Sequence, residues 1–393
     1  MSWRRLRAPW RTLVTAMAEM RATLQRDLLA AIWSWPATPW PAGQFEALAA
    51  RLYAFQVAHI PAYGHWAARR VGHSRPSSWQ QLPLAPVAAF KVAPLATAEA
   101  LAHPAAQFET SGTTDGRPGQ VVLRDTALYD ASLHRAFAHW MVPESAARNG
   151  LQFRCIALTP SASSRPRSSL GFMVRRLAQR WDDGGATEHL GAAGNEEALD
   201  VQGFIRACER ASRDGVPAMV FATSVALHLL LEQLPRNWRV QLPAGSRLMD
   251  TGGPKGRHVL VARAEQHGHL ERVLGLRPAL IVGELGMTEL CGQRYEATAR
   301  ELTLGQPATP RAYHGPPWLA ARLLRVEDGA PCRVGEVGLV GHVDLSNLDT
   351  CAFLQTADLG TLDEYGGLRL LGRLPGSEWR GCGLDADDIV GAH

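Results

Sequence analysis

Four short segments hold residues whose types and spacing suit nucleotide chemistry. Thr110-Ser111-Gly112-Thr113-Thr114-Asp115-Gly116-Arg117-Pro118-Gly119 packs hydroxyls and glycines ahead of the extended run Val121-Val122-Leu123. Glycines let the backbone approach closely, and N–H and hydroxyl groups can donate to phosphate oxygens. No Gly-Lys-Ser/Thr follows, so this is not a Walker A loop. Gly286-Met287-Thr288-Glu289 comes just after the apolar run Ala279–Val282. A carboxylate there can hold Mg²⁺, and a threonine hydroxyl can reach a phosphate. In Gln355-Thr356-Ala357-Asp358-Leu359-Gly360 the Asp is either a turn cap or an acceptor for both ribose hydroxyls. Leu371-Gly372-Arg373 is followed by Arg380-Gly381-Cys382-Gly383.

The elements that must position these residues read as α/β. Residues 13–33 and 44–58 carry apolar residues at helical spacing, broken by Pro36–Pro41. A proline-rich turn region runs from Pro76 to Pro94 and holds Phe90-Lys91. Strands are expected at Val121–Leu123, Cys155–Leu158, Ala218–Ala222 and Ala279–Val282. Helices are expected at Thr126–Met141 with Asp125 as N-cap, at Leu170–Arg180, at Asn195–Arg213 and from Ser224. That alternation argues for a sheet with helices on its faces. The last third turns to short strands, as in Val337–Val343 and Leu368–Leu371.

Composition narrows the setting. The chain has 393 residues, and its 46% hydrophobic content excludes disorder as the main state. A net charge of +4 without a Lys/Arg block argues against a nucleic-acid partner. Of 41 Lys+Arg, only Lys91 and Lys255 are lysines. The six cysteines form no CxxC pair and no zinc spacing, as expected in a reducing, cytoplasmic setting. The N-terminus lacks the apolar run of a secretory signal. The most apolar window, Val216–Leu234, contains Pro217, Thr223, Ser224 and His228, and reads as a strand followed by a helix, not a membrane span.

In their order and spacing, the four segments resemble the signature set of the ANL adenylate-forming superfamily. More narrowly, the chain resembles the LuxE-type acyl-protein synthetases of bacterial fatty acid reductases. Phe90-Lys91, Thr251-Gly252-Gly253-Pro254-Lys255-Gly256-Arg257 and Asp344-Leu345-Ser346-Asn347 add to that resemblance, which covers roughly residues 80 to 390. It implies a large adenylate-forming domain of mixed sheets flanked by helices, with the mobile C-terminal domain reduced to a stub. The expected layout is a helical segment at 1–80 packed on the core, a core at 81–371, and a hinge and stub at 372–393.

The resemblance implies ATP-dependent activation of a carboxylic acid, of the long-chain fatty class, as acyl-AMP. Transfer to an enzyme cysteine as a thioester follows, for delivery to an acyl reductase. ATP and Mg²⁺ are the implied cofactors, with an acyl-CoA reductase and an acyltransferase as implied partners. Ser111, Gly112, Thr113 and Thr114 match the phosphate loop, Glu289 the Mg²⁺ ligand and Thr288 its phosphate-facing neighbour. Asp358 matches the ribose contact and Arg373 the hinge arginine. Thr251, Gly252 and Gly253 are expected to line the adenine or acyl side, with Lys255 near substrate charge and Lys91 a docking or structural cation. Cys382 matches the acyl acceptor, with Arg380 placed to lower its pKa; the other five cysteines read as packing. The chain departs from the pattern at Arg117 and Gly119, where the superfamily loop continues to a Lys. It departs again at Leu285, where many relatives have an aromatic. Two other readings are a phenylacetate-CoA-ligase-like enzyme that passes the acyl group to CoA or a carrier protein, and an inactive nucleotide- or acyl-binding subunit.

Overall fold

Strands buried on both faces read as unbroken apolar runs, and the middle third of the chain holds several. The computed structural model describes residues 7–72, 76–110, 118–147, 150–184, 187–191, 199–252 and 262–374, with side chains from residue 18 onward. The helices are α1 (Arg7–Ser34), α2 (Gln44–His59), α3 (Pro61–Val71), α4 (Ala98–Ala102), α5 (Ala127–Trp140), α6 (Ser169–Trp181), α7 (Val201–Asp214), α8 (Ser224–Gln233), α9 (Arg263–Leu274) and α10 (Thr298–Thr303). The strands are β1 (Ala85–Pro86), β2 (Ala106–Glu109), β3 (Gln120–Leu123), β4 (Arg154–Ala157), β5 (Glu188–His189), β6 (Ala218–Thr223), β7 (Arg247–Thr251), β8 (Ile281–Leu285), β9 (Arg294–Glu296), β10 (Tyr313–His314), β11 (Leu319–Leu324), β12 (Gly338–Asp344), β13 (Phe353–Leu362) and β14 (Leu368–Arg373).

One large mixed sheet carries the site. Its parallel half runs β5-β4-β6-β7-β8, and its antiparallel half continues β9-β10-β14-β13-β12-β11. β1 adds to β13 in parallel, while β2 and β3 pair as a separate hairpin. Helices cover both faces of the parallel half. One core joins α1, α5 and α6 to the sheet through Phe137, Met173, Phe221 and Tyr295; the other joins α7, α8 and α9 through Phe204, Leu227, Leu270 and Val220. This is the mixed α/β sheet flanked by helices that the sequence implies.

Local chemistry sets the element ends. Asp200 accepts from the Gly203 N–H at 2.7 Å, so α7 starts at Val201 and not at Asn195. Asp125 does not cap α5 as expected. Thr126 occupies that position, while Asp125 accepts from the Ala127 N–H and from Arg21. Pro278–Leu280 forms a short 3₁₀ turn, which moves the following strand to Ile281–Leu285. β14 runs two residues past its expected end, to Arg373. Among the described residues, no helix is long and apolar enough to cross a membrane.

Two buried contacts pin the first helices to the sheet's antiparallel half. Arg21 on α1 donates to Asp349 at 2.8 Å through two nitrogens and to Asp125 at 2.9 Å. Gln56 on α2 donates to the carbonyls of Asn347 and Thr350 and accepts from the Ala352 N–H.

Candidate active site

The hydroxyl–glycine segment is the connection of the β2–β3 hairpin. Its base is closed by the Thr110 N–H donating to the Gly119 carbonyl at 2.9 Å, and by the Gly119 N–H donating to Thr110 Oγ1 at 2.8 Å. Ser111, Gly112, Thr113 and Thr114 lie outside the described residues, as do Gly253, Lys255 and Cys382. The hairpin base abuts the start of α6. The Glu109 N–H donates to the Arg167 carbonyl at 2.9 Å, and the two side chains form an ion pair. Ser168 caps α6 by accepting from the Gly171 N–H, and Ser169 Oγ shares a 3.0 Å hydrogen bond with Thr288 Oγ1. The start of α6 therefore joins the hairpin to Thr288.

Glu289 sits in the loop that leaves β8. Behind it stands the Asp344–Asn347 segment, which resemblance alone had singled out without a role. Asn347 Nδ2 donates to the Glu289 carbonyl at 2.9 Å. Asp344 accepts from the Cys291 and Gly292 N–H groups, each at 2.8 Å, and from Ser346. Complete burial raises the Asp344 carboxyl above the usual carboxylate range against the pull of these donors. The segment is thus a brace that fixes the loop's backbone.

Glu289 itself is 9% exposed. Among the described residues, no group of three or more His, Cys, Asp or Glu could hold a metal ion. One carboxylate without a protein cage fits the way Mg²⁺ is usually held, through one or two carboxylates completed by substrate phosphates and water.

β7 delivers Thr251 and Gly252 beside this loop. Gly252 turns the chain out of β7 at φ +86°, a left-handed conformation that favours glycine. Its neighbour Glu284 was missed from the sequence, although a carboxylate inside the apolar run Ile281-Val282-Gly283-Glu284-Leu285 is itself a signal. Glu284 is 1% exposed, accepts from the Thr251 hydroxyl, and leaves Oε1 without a hydrogen-bond partner. Burial, then the nearby Asp250 charge, push its carboxyl up to about 7. A Cβ at Gly286 would lie 2.5 Å from Glu284 Oε1, so a side chain there would have to push that carboxylate aside. Asp250 is held by the Ser224 hydroxyl at 2.6 Å and by Arg263 at 3.3 Å.

Asp358 and Arg373 are brought together directly. They are cross-strand partners of β13 and β14, and Arg373 Nε donates to Asp358 Oδ1 at 3.2 Å. Asp358 is therefore on a strand, so of its two readings the turn cap drops out. Three strand spacings separate β14 from β8 in the sheet order, roughly 14 Å at the usual interstrand distance. The thiols of Cys155, Cys208, Cys291 and Cys351 are buried, and burial pushes them up, Cys351 to about 12. That fits packing and argues against nucleophiles. Cys332 is half-buried and packs beside Leu323 and Val340.

The fold is that of an α/β protein built on one mixed sheet flanked by helices. The chain is similar to the long-chain-fatty-acid–luciferin-component ligase of Aliivibrio fischeri, with 33% identity over 85 residues, 20% of this chain and 22% of that protein. No protein-family model matches the chain. Among solved structures, the ATP-bound MatB of Rhodopseudomonas palustris is 17% identical, with a TM-score of 0.47, covering 69% of this chain and 48% of that one. A long-chain-fatty-acid-CoA ligase of Archaeoglobus fulgidus is 19% identical, with a TM-score of 0.45, covering 68% and 51%. The chain thus spans about half the length of these structures.

Proposed function

We propose that the protein is an adenylate-forming ligase of the acyl-protein synthetase type. It activates a carboxylic acid, of the long-chain fatty class, with ATP and passes the acyl group to Cys382. The observation that carries this reading is the direct bonding among segments far apart in sequence. Asn347 holds the Glu289 backbone, Ser169 holds Thr288, the Gly252 N–H meets the Glu284 carbonyl at 3.5 Å, and Arg373 meets Asp358. The partial similarity to a fatty-acid ligase points the same way.

In the first step a carboxylate oxygen attacks the α-phosphorus of ATP. The α–β anhydride bond breaks and pyrophosphate leaves, giving acyl-AMP. Ser111–Thr114 cradle the phosphates, Thr288 donates to them, and Asp358 accepts from the ribose hydroxyls with Arg373 holding it in place. Glu289 would hold Mg²⁺, which when bound would supply charge neutralisation for the phosphates. Lys255, with Gly252 and Gly253, is assigned to the substrate side. In the second step the Cys382 thiolate attacks the acyl carbonyl, the acyl–oxygen bond of the mixed anhydride breaks, and AMP leaves. The thioester is then substrate for an acyl reductase, with an acyltransferase as a further partner. We divide the chain into the helical segment 1–80, the core 81–371, and the hinge and stub 372–393.

The test is incubation with ATP, Mg²⁺ and labelled fatty acid. Hydroxylamine-labile label should appear on the protein and vanish in Cys382→Ser. Pyrophosphate exchange without protein label would move the acceptor to CoA or a carrier protein. Absence of both would leave a binding subunit.

A further inference from the structure

A cavity of about 580 Å³ opens between α3, the turn segment 76–84 and the β11–β12 hairpin. None of the site residues assigned above lines it. Its lining includes Trp66, Leu84 and Leu324, with Gln355 from β13, and Arg70 and Arg322. The volume is that of a small-organic-ligand pocket.

Arg322 is the unusual member of this lining. It donates to the Leu82 carbonyl at 2.6 Å and to the Trp79 carbonyl at 3.4 Å, and its Nε has no acceptor. Among the described residues no carboxylate pairs with it. Arg21, Arg247 and Arg263 are each matched by at least one Asp or Glu. The only carboxylate in the cavity lining, Asp328, is taken by Arg325 at 2.7 Å. The lining therefore carries more cationic than anionic charge. Burial accordingly lowers the Arg322 guanidinium to about 10. A desolvated cation without an anion is costly, and a planar guanidinium fork is suited to an oxyanion. The rest of the lining mixes apolar residues, among them Trp66, Leu84, Leu324 and Leu339, with Gln81 and Gln355, and Arg70 lies over the Trp66 ring at 5.4 Å.

We propose that this cavity is a second binding site, for an amphipathic anion whose carboxylate or phosphate head meets Arg322 and whose alkyl body lies along Trp66, Leu84 and Leu324. Gln355 borders the site three residues before Asp358 on β13, so a bound ligand would touch the strand that carries the nucleotide pair.

The test is calorimetric titration of the full chain, without ATP, with decanoate, decyl phosphate and decanol. Both anions should bind at least tenfold more tightly than decanol. Arg322→Met should remove that preference and leave decanol binding unchanged. Gln81→Glu puts a carboxylate on the exposed rim of the cavity and can keep the hydrogen bonds that residue 81 accepts from Ser77. It should weaken both anions several-fold, and it decides the matter if Arg322→Met does not fold. Tighter decanoate assigns a carboxylate head, and tighter decyl phosphate a phosphate head. Decanol binding equal to the anions, no binding of any probe, or anion affinity unchanged in the variants would overturn the proposal.

Discussion

Glu284 and Glu296 stand on neighbouring strands, 1% and 2% exposed, and their surroundings are opposite. Glu296 accepts from Arg263 at 2.8 Å, from Arg311 at 2.5 Å and from the Gly283 N–H at 2.8 Å. Glu284 has one hydroxyl and an oxygen without a partner. Charge and donors surround the first, which locks β8, β9 and α9 together. Burial opposes ionisation of the second, which lies where the Thr251-Gly252 and Gly286–Glu289 segments meet. Identical side chains on adjacent strands thus do different work, and the compensation around each one decides which.

The largest effect should come from Glu296→Gln. It leaves two arginines without their carboxylate, and breaking a buried pair costs about 3–5 kcal/mol. Both arginines are about a third exposed, so the lower end is expected. Urea unfolding measures it, and a loss under about 1 kcal/mol would erase the contrast with Glu284.

Glu284→Gln sharpens the same contrast through pH. The carboxyl sits at about 7 in the folded chain against an ordinary 4.5. A raised acid holds its proton more tightly when folded, so stability is full below about pH 4.5 and falls as pH rises through 7. Those two values correspond to roughly 3 kcal/mol over that window. The glutamine variant has no such slope. It should gain on the parent steadily between these limits, and a pH-independent difference would place the carboxyl back at its ordinary value.

Asn347→Ala removes the donor to the Glu289 carbonyl and should cost about 1–2 kcal/mol. Pyrophosphate exchange should fall by more than that stability loss accounts for. Equal losses would reduce the brace to a packing element. The smallest stability effect belongs to Arg373→Gln, because the arginine is 69% exposed and surface pairs contribute about 0–1 kcal/mol. Its signature should instead be a raised KM for ATP in the exchange reaction.

Much of this was legible in the sequence because it is local. Alternating apolar runs placed β4, β6 and β8 and the helices α5 to α8, but not β5, β7 or α9, and Gly-Met-Thr-Glu marked the end of β8. The cross-strand pairing of Asp358 with Arg373 was not legible, since register depends on how two distant segments align. Asp344 and Asn347 were visible as a matching segment, but their work is done across 50 residues or more on backbone groups of another loop. Glu284 was legible and went unread, being a charge set inside an apolar strand.

The Arg21–Asp349 contact spans 328 residues. At ribosomal rates of roughly 5–20 residues per second, its carboxylate partner emerges on the order of tens of seconds after the arginine. During that interval α1 cannot bury its guanidinium against Asp349, and the site's brace has no anchor from the first helices. Nascent chains stalled before residue 349 should leave α1 open to protease, and release past that point should close it.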